Sequence, residues 1–258
     1  MQSILSTVII RPTPDLLIIL EFCFVVSLFL LIPFLSIAIG SLVLSMWYGR
    51  RGAKDLPGHH EFARELLFKV LPDRHYGFVF GVIPLFTVLV VYAQTLYNAD
   101  IYVVGFFLAA VISAILGFYF LYKYRWSLRF DYFLSSAKQS LSASDSSVQS
   151  MAEDYASTNS YVKGITGGVA LFFLLLTIYQ LIGSTSTVLN PELWASTKSS
   201  FYFVASIPFW WKFTFMLACS FGVTGAAILY FLLDKNSELS DEAFRVGKSC
   251  GSVVGLYA

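Results

Sequence analysis

Long apolar runs separated by short polar and charged stretches set the pattern of this chain. A membrane-spanning helix needs about 20 consecutive, mostly apolar residues. Five segments reach that length: 16–46, 76–97, 101–124, 162–183 and 209–233. A sixth apolar helix starts at 244 and is still apolar at Ala258. A helix that stops half-way across a bilayer leaves its last carbonyls without partners, so further chain is expected beyond that point. The predicted fold is therefore all-α: one polytopic transmembrane bundle over 1–258, with five complete helices and the start of a sixth. The first segment would reach roughly 46 Å at 1.5 Å per residue. It is expected to tilt, to kink at Pro33 or to project into water.

The intervening stretches carry patterns of their own. In PGHHEFARELLFKVLPDRH, Phe62, Leu66, Leu67 and Val70 form an apolar stripe, and Arg64, Glu65 and Lys69 lie off it. That spacing predicts a short helix on the membrane surface. In RFDYFLSSAKQSLSASDSSVQSMAEDYASTNS, Phe130, Phe133, Ala137 and Leu141 are helically spaced, and the Ser-rich middle, 140–150, reads as flexible. STSTVLNPELWASTKSSFYFVASIPF mixes aromatic with polar residues and is expected along the opposite interface. No internal repeat occurs.

Charge orients the helices. Of 17 Lys and Arg, 14 fall in the stretches 48–75 and 123–163 and after 233, leaving Arg11, Lys198 and Lys212 for the other side. The positive-inside rule then puts the N-terminus outside and the basic loops in the cytoplasm. Composition agrees with a membrane protein: 57% hydrophobic, 13% charged, against about 25% charged in soluble chains. A net charge of +1 gives no sign of a nucleic-acid partner. MQSILSTVIIRPTPD lacks the basic start and cleavage site of a signal peptide, so the first helix is expected to be retained. Cys23, Cys219 and Cys250 are too scattered for a zinc site or covalent haem attachment and read as small buried hydrophobes.

Ionisable groups inside membrane helices are costly and usually functional. Here they are Glu21, near the outer end of the first helix, and Lys212, at the outer start of the fifth. The third helix has neither acid nor base, which argues against a proton relay or charge-coupled transporter within this chain. Glu21 suits a haem ligand, a proton-entry acid, a contact with a neighbouring subunit or an interfacial carboxylate. Lys212, in FWWKF, suits a haem propionate, an aromatic face or the outer headgroups. His75 is placed to meet a haem edge or a quinone headgroup, or to be an ordinary interfacial histidine; His59 and His60 lie nearby. No H-E-x-x-H, P-loop or dinucleotide fingerprint is present. The small residues of GITGG and SFGVTGAA serve either close helix contact or a flat macrocycle.

From Pro208 through Lys212-Phe213 to Val223-Thr224-Gly225-Ala226, the fifth helix resembles that of subunit I of the cytochrome bd quinol oxidases. The family has a proline, a Lys-Phe pair and a V-T-G-A run, with the histidine ligand of its low-spin b haem between them. Counted from the proline, the V-T-G-A runs coincide, the Lys-Phe pair is offset by one, and that histidine falls on Met216. Ala243-Phe244 and Lys248-Ser249 match the start of the family's sixth helix, and Phe106-Phe107-Leu108 its third. The likeness is specific over about 40 residues and loose elsewhere.

The departures matter equally. The histidine that the family's first helix gives its high-spin haems corresponds to Leu28 or Glu21, the acids of its third helix are missing, and its quinol loop would lie beyond Ala258. The resemblance thus implies a degenerate subunit, not catalytic on its own. It would act as a scaffold in a respiratory or photosynthetic electron-transfer complex of the bacterial inner membrane. Haem b or quinone would be held by partner subunits, a cytochrome among them. The alternatives are haem b bound here through Met216, His75 or Glu21, with electrons taken from quinol, or an unrelated permease or assembly subunit. Thioether ligation of haem is known, usually opposite a histidine.

Overall fold

The computed structural model describes residues 13–52, 57–71, 73–96, 103–140, 146–190, 199, 202–203, 206–232 and 239–257. Among them are seven helices and no strand. They are α1 (Pro14–Gly52), α2 (Pro57–Val70), α3, α4 (Val103–Ser140), α5 (Ser146–Val188), α6 (Ile207–Leu232) and α7 (Asp241–Tyr257). α3 is continuous through Arg74–Gly77, a π-helical turn Phe78–Val82 and Ile83–Thr95. α1, α3, α4, α5 and α6 are each long and apolar enough to cross a membrane. The chain is an integral membrane protein with an all-α bundle, as its apolar pattern predicts.

The π turn has a local cause. Pro84 offers no N–H, and its ring crowds the carbonyl four residues back, that of Phe80. Widening that turn accommodates the ring without breaking the helix. α3 then lies tightly on α4: a Cβ at Gly77 would strike Tyr122, and one at Gly81 would strike the Phe118 ring.

The main core joins α1, α3, α4 and α5 through Leu35, Ile39, Leu85, Phe107, Leu121 and Leu174, all essentially inaccessible. A smaller core joins α2, α6 and α7 through Phe62, Leu66, Ile228, Ala243 and Cys250. In lipid, burying leucine gains little, because the tails are as apolar as the core; close packing and interhelical hydrogen bonds decide which helices meet. Small residues therefore mark the contacts. Gly40 of α1 faces Ser220 and Thr224 of α6, and Gly225 of α6 meets the backbone of Gly255 in α7. Ser113 of α4 and Thr177 of α5 share a hydrogen bond of 2.9 Å.

Several expectations change. The stripe Phe62, Leu66, Leu67 and Val70 does form one face of a helix, α2, but it is buried against protein. Periodicity shows that a face is apolar and is silent on whether lipid or protein covers it. The polar stretch after 124 is mostly helical, as the spacing of Phe130, Phe133 and Ala137 predicts, but continuous with the membrane helices: α4 runs on to Ser140, and α5 starts at Ser146. At 38 and 43 residues, these helices reach roughly 57 and 64 Å. Of the Ser-rich middle, 146–150 is helical, and 141–145 lies outside the described residues.

The extension is held by polar contacts across the two helices. Ser127 Oγ donates to Asn159 Oδ1 at 2.8 Å, and Asn159 Nδ2 donates to the Ser127 carbonyl at 3.0 Å. Asp131 accepts from both Asn159 and Lys163.

Of the segment expected along the opposite interface, 191–198 lies outside the described residues, whereas Phe203 is buried. Its ring seats over Gly183, where a Cβ would collide with it, and packs on Phe106, Tyr179 and Phe209. α7 has 17 residues, is not among the five long apolar helices, and packs on α6 and α2. The three cysteines are free, with Cys250 buried and the others half-buried.

Candidate functional site

A concavity opens at the basic end of the bundle, where the apolar part of α4 gives way to charge. Along YFLYKYRWSLR, Tyr119, Tyr122, Lys123, Trp126 and Arg129 recur at three- and four-residue intervals and share one face. That face, with Arg125 beside it, looks onto Phe68 at the end of α2 and onto Asp73, Arg74 and His75 at the start of α3. Together they line a cavity of about 690 Å³, within the usual size range for small-molecule sites.

Arg125 is fixed from three sides. Its Nη2 lies 3.3 Å from Asp73 Oδ1 and donates to the Phe68 carbonyl at 3.5 Å, and the guanidinium sits 4.9 Å above the Phe68 ring. Tyr122 Oη donates to the Asp73 carbonyl at 3.3 Å, tying α4 to the start of α3. Arg74, Lys123 and Arg129 are exposed at the rim, with Lys123 over Tyr119 and Arg129 over Phe68. Four cations and one carboxylate thus line the cavity, and Arg125 is the cation paired with Asp73. Chemically, such a lining suits an anion with an apolar or aromatic body.

A smaller recess of about 210 Å³ lies between α1, α2, α4 and α5, lined by Arg50, His60, Tyr124 and Lys163 among others. Burial pushes the His60 imidazole below its ordinary range; the Lys163 and Arg64 charges add to this, and Asp131 opposes it. The folded protein therefore holds His60 neutral at a pH where the unfolded chain would already protonate it. Its contribution to stability is complete above the ordinary histidine value of about 6.5. The contribution declines as pH falls from there through the lowered folded value. In detergent, the unfolding temperature of His60→Gln is expected to fall less than that of the parent between about pH 7.5 and pH 5. Parallel melting curves across that range would refute this.

The residues singled out from sequence lie apart. Glu21 is exposed on the N-terminal part of α1. His75 is exposed at the basic end, on the wall of the larger cavity. Lys212 is exposed near the start of α6, and its Nζ donates to Ser186 Oγ of α5 at 3.1 Å. Met216 is half-buried one turn further along α6 and packs on the main core. Only Lys212 and Met216 share a helix face.

These residues do not converge on a common ligand position, and the small residues beside Met216 are occupied. Thr224 Oγ1 donates to Ser220 O at 2.7 Å and to Ser36 O at 3.4 Å, and Gly225 is closed by Gly255. The two readings of SFGVTGAA thus resolve toward helix contact at Ser220, Thr224 and Gly225. GITGG is mixed: Gly167 packs against Tyr124 and Met46, whereas a Cβ at Gly164 or Gly168 would meet nothing. Among the described residues, no group of three His, Cys, Asp or Glu could hold a metal ion.

Of the residues lining the larger cavity, His75 was a candidate from sequence, whereas the basic residues of α4 were visible only as charges for orientation, because the apolar run ends at Tyr124. Their helical spacing across that boundary was the signal. No family model, curated protein or solved structure matches the chain.

Proposed function

We propose that this chain is a scaffold and docking subunit of a membrane electron-transfer complex, a degenerate relative of cytochrome bd subunit I with haem b or quinone carried by its partners. The observation that carries the docking role is the N-terminal part of α1. Leu17, Ile18, Ile19, Phe22, Val25 and Phe29 are exposed along it, with Glu21 among them. A carboxylate amid exposed apolar residues in a membrane helix is costly unless another chain or headgroup water receives it. The tight contact of Thr224 and Gly225 with α1 and α7 supports keeping the macrocycle elsewhere. In this reading the N-terminus faces outward from a bacterial inner membrane, and the basic loops face the cytoplasm.

The test is an optical spectrum with haemochrome quantitation on the gently solubilised complex, then on this chain isolated from it. Haem in the complex and absent from the isolated chain is the expected result. Haem that stays with the chain would make it a cytochrome and Met216 the first residue to replace. Haem in neither would remove the bd relationship. Orientation is tested separately, in a cysteine-free background. Asn190→Cys is expected to react with a membrane-impermeant maleimide on intact cells, and Ser157→Cys only after lysis. Both side chains are exposed, Asn190 just past the C-terminal end of α5 and Ser157 in its polar N-terminal part. The reverse pattern would invert the topology.

A further inference from the structure

We propose that the cavity between α2, α3 and α4 binds the phosphate group of an anionic membrane lipid. The inference is independent of any electron-transfer role. Arg74, Lys123, Arg125 and Arg129 line this cavity, and Asp73 is the carboxylate in its lining. Like charges gathered around one concavity repel one another, and a bound anion relieves that repulsion. Arg125 is the fixed element, its side chain only 13% exposed, and Asp73 already balances part of its charge. The other three cations are exposed at the rim, on stems long enough to close on a phosphate.

Phosphate chemistry alone fits a soluble ester as well as a lipid; the surroundings select the lipid. An exposed apolar ridge on α4, Leu108, Ile112, Ile115 and Tyr119, runs at helical spacing directly into the cavity. It spans roughly 16 Å at 1.5 Å per residue, comparable to an acyl chain. α3 presents a second ridge through Tyr76, Val79, Ile83 and Phe86. Exposed Trp126 sits at the change from apolar to basic residues, as aromatic side chains do at membrane interfaces. A ligand with its head in the cavity and its tails along these ridges satisfies both surfaces. Clusters of basic residues where spans meet the cytoplasm attract anionic headgroups by the same electrostatics.

The experiment is native mass spectrometry of the purified full chain in mild detergent. It is titrated with phosphatidylglycerol, with phosphatidylcholine, and with phosphatidylglycerol in the presence of glycerol phosphate. Phosphatidylglycerol adducts are expected at about tenfold lower concentration than phosphatidylcholine adducts. Arg74→Gln/Lys123→Gln/Arg129→Gln should abolish that preference. Arg245→Gln/Lys248→Gln, two exposed charges of α7 at the same end of the bundle, should leave it intact. Equal binding of the two lipids would overturn the proposal. So would an undiminished preference in the triple variant, or an equal loss in the α7 variant. Competition by glycerol phosphate at the concentration of the lipid would make this a soluble-phosphate site and overturn the assignment to lipid. If the triple variant elutes or melts abnormally, Lys123→Gln/Arg129→Gln is read by the same criteria. Arg74→Lys/Arg129→Lys, which keeps the charge, should then retain the preference.

Discussion

Replacing Gly40 with valine is expected to leave little folded protein after detergent extraction. Gly40→Ala should survive with its unfolding temperature lowered substantially. A Cβ at this position would meet Thr224 Oγ1 and would lie 2.7 Å from the backbone carbonyl of Ser220. The hydroxyl could rotate away, but the carbonyl belongs to a turn of α6 and moves only if the helix moves. Such overpacking costs about 1–3 kcal/mol and often more, and between membrane helices there is little hydrophobic gain to offset it. Gly225→Ala should behave similarly, because its Cβ would stand 2.5 Å from the Gly255 nitrogen.

The controls are Gly105→Ala and Gly168→Ala, whose added methyl groups would meet nothing within 4 Å. Both should melt at or above the parent temperature, since alanine favours helix over glycine by about 1 kcal/mol. If all four alanine variants melt together, the close approach of α6 to α1 and α7 is wrong. Thr224→Ala in the Gly40→Ala background should restore part of the loss, as expected for residues that share one contact.

The second large effect is at Asp131. Its carboxylate accepts from Asn159 and from Lys163, joining α4 to α5 where both extend past their apolar segments. The Asp131 and Lys163 side chains are 16% and 24% exposed, so solvent screens the pair only in part. Asp131→Ala removes the acceptor from a cation and from a buried amide together. The expected cost is about 2–4 kcal/mol, the scale of a partly buried charge losing its partner. Asp131→Ala/Lys163→Met should recover much of this, because no unpaired charge is left. A thermal-unfolding double-mutant cycle in detergent measures the coupling. Purely additive losses would show that the pair contributes nothing beyond its separate members.

These two sites show where reading along the chain succeeds. The apolar runs predicted five membrane helices, and the cores of all five stand where the runs are. Backbone groups in lipid must be satisfied within the segment, so hydropathy and length are nearly sufficient. The amphipathic spacing of Phe62, Leu66, Leu67 and Val70 likewise identified α2. The extension of α4 was legible as the helical spacing of Phe130, Phe133 and Ala137. Its continuity with the membrane segment, like that of α5, was missed because hydropathy stops reporting at the membrane surface. The helices continue there on polar partners 32 residues apart, such as Ser127 and Asn159. Neither residue announces the other in sequence.

The candidate sites divide the same way. That Met216, Lys212, His75 and Glu21 occupy helices or their ends was evident from position. That His75 shares a cavity with Tyr122, Arg125 and Arg129, while Met216 packs into a core, depends on how the helices are rotated about their axes. By itself the sequence determined a helical membrane protein with its charge gathered at one end, because both are properties of composition along a single strand of chain. Only the tertiary structure decided that Gly40 faces Thr224, that the stripe of α2 is covered by protein, and that four cations meet around one cavity. Helix rotation and packing depend on the fit of surfaces far apart in sequence, and no periodicity within one helix encodes its neighbour.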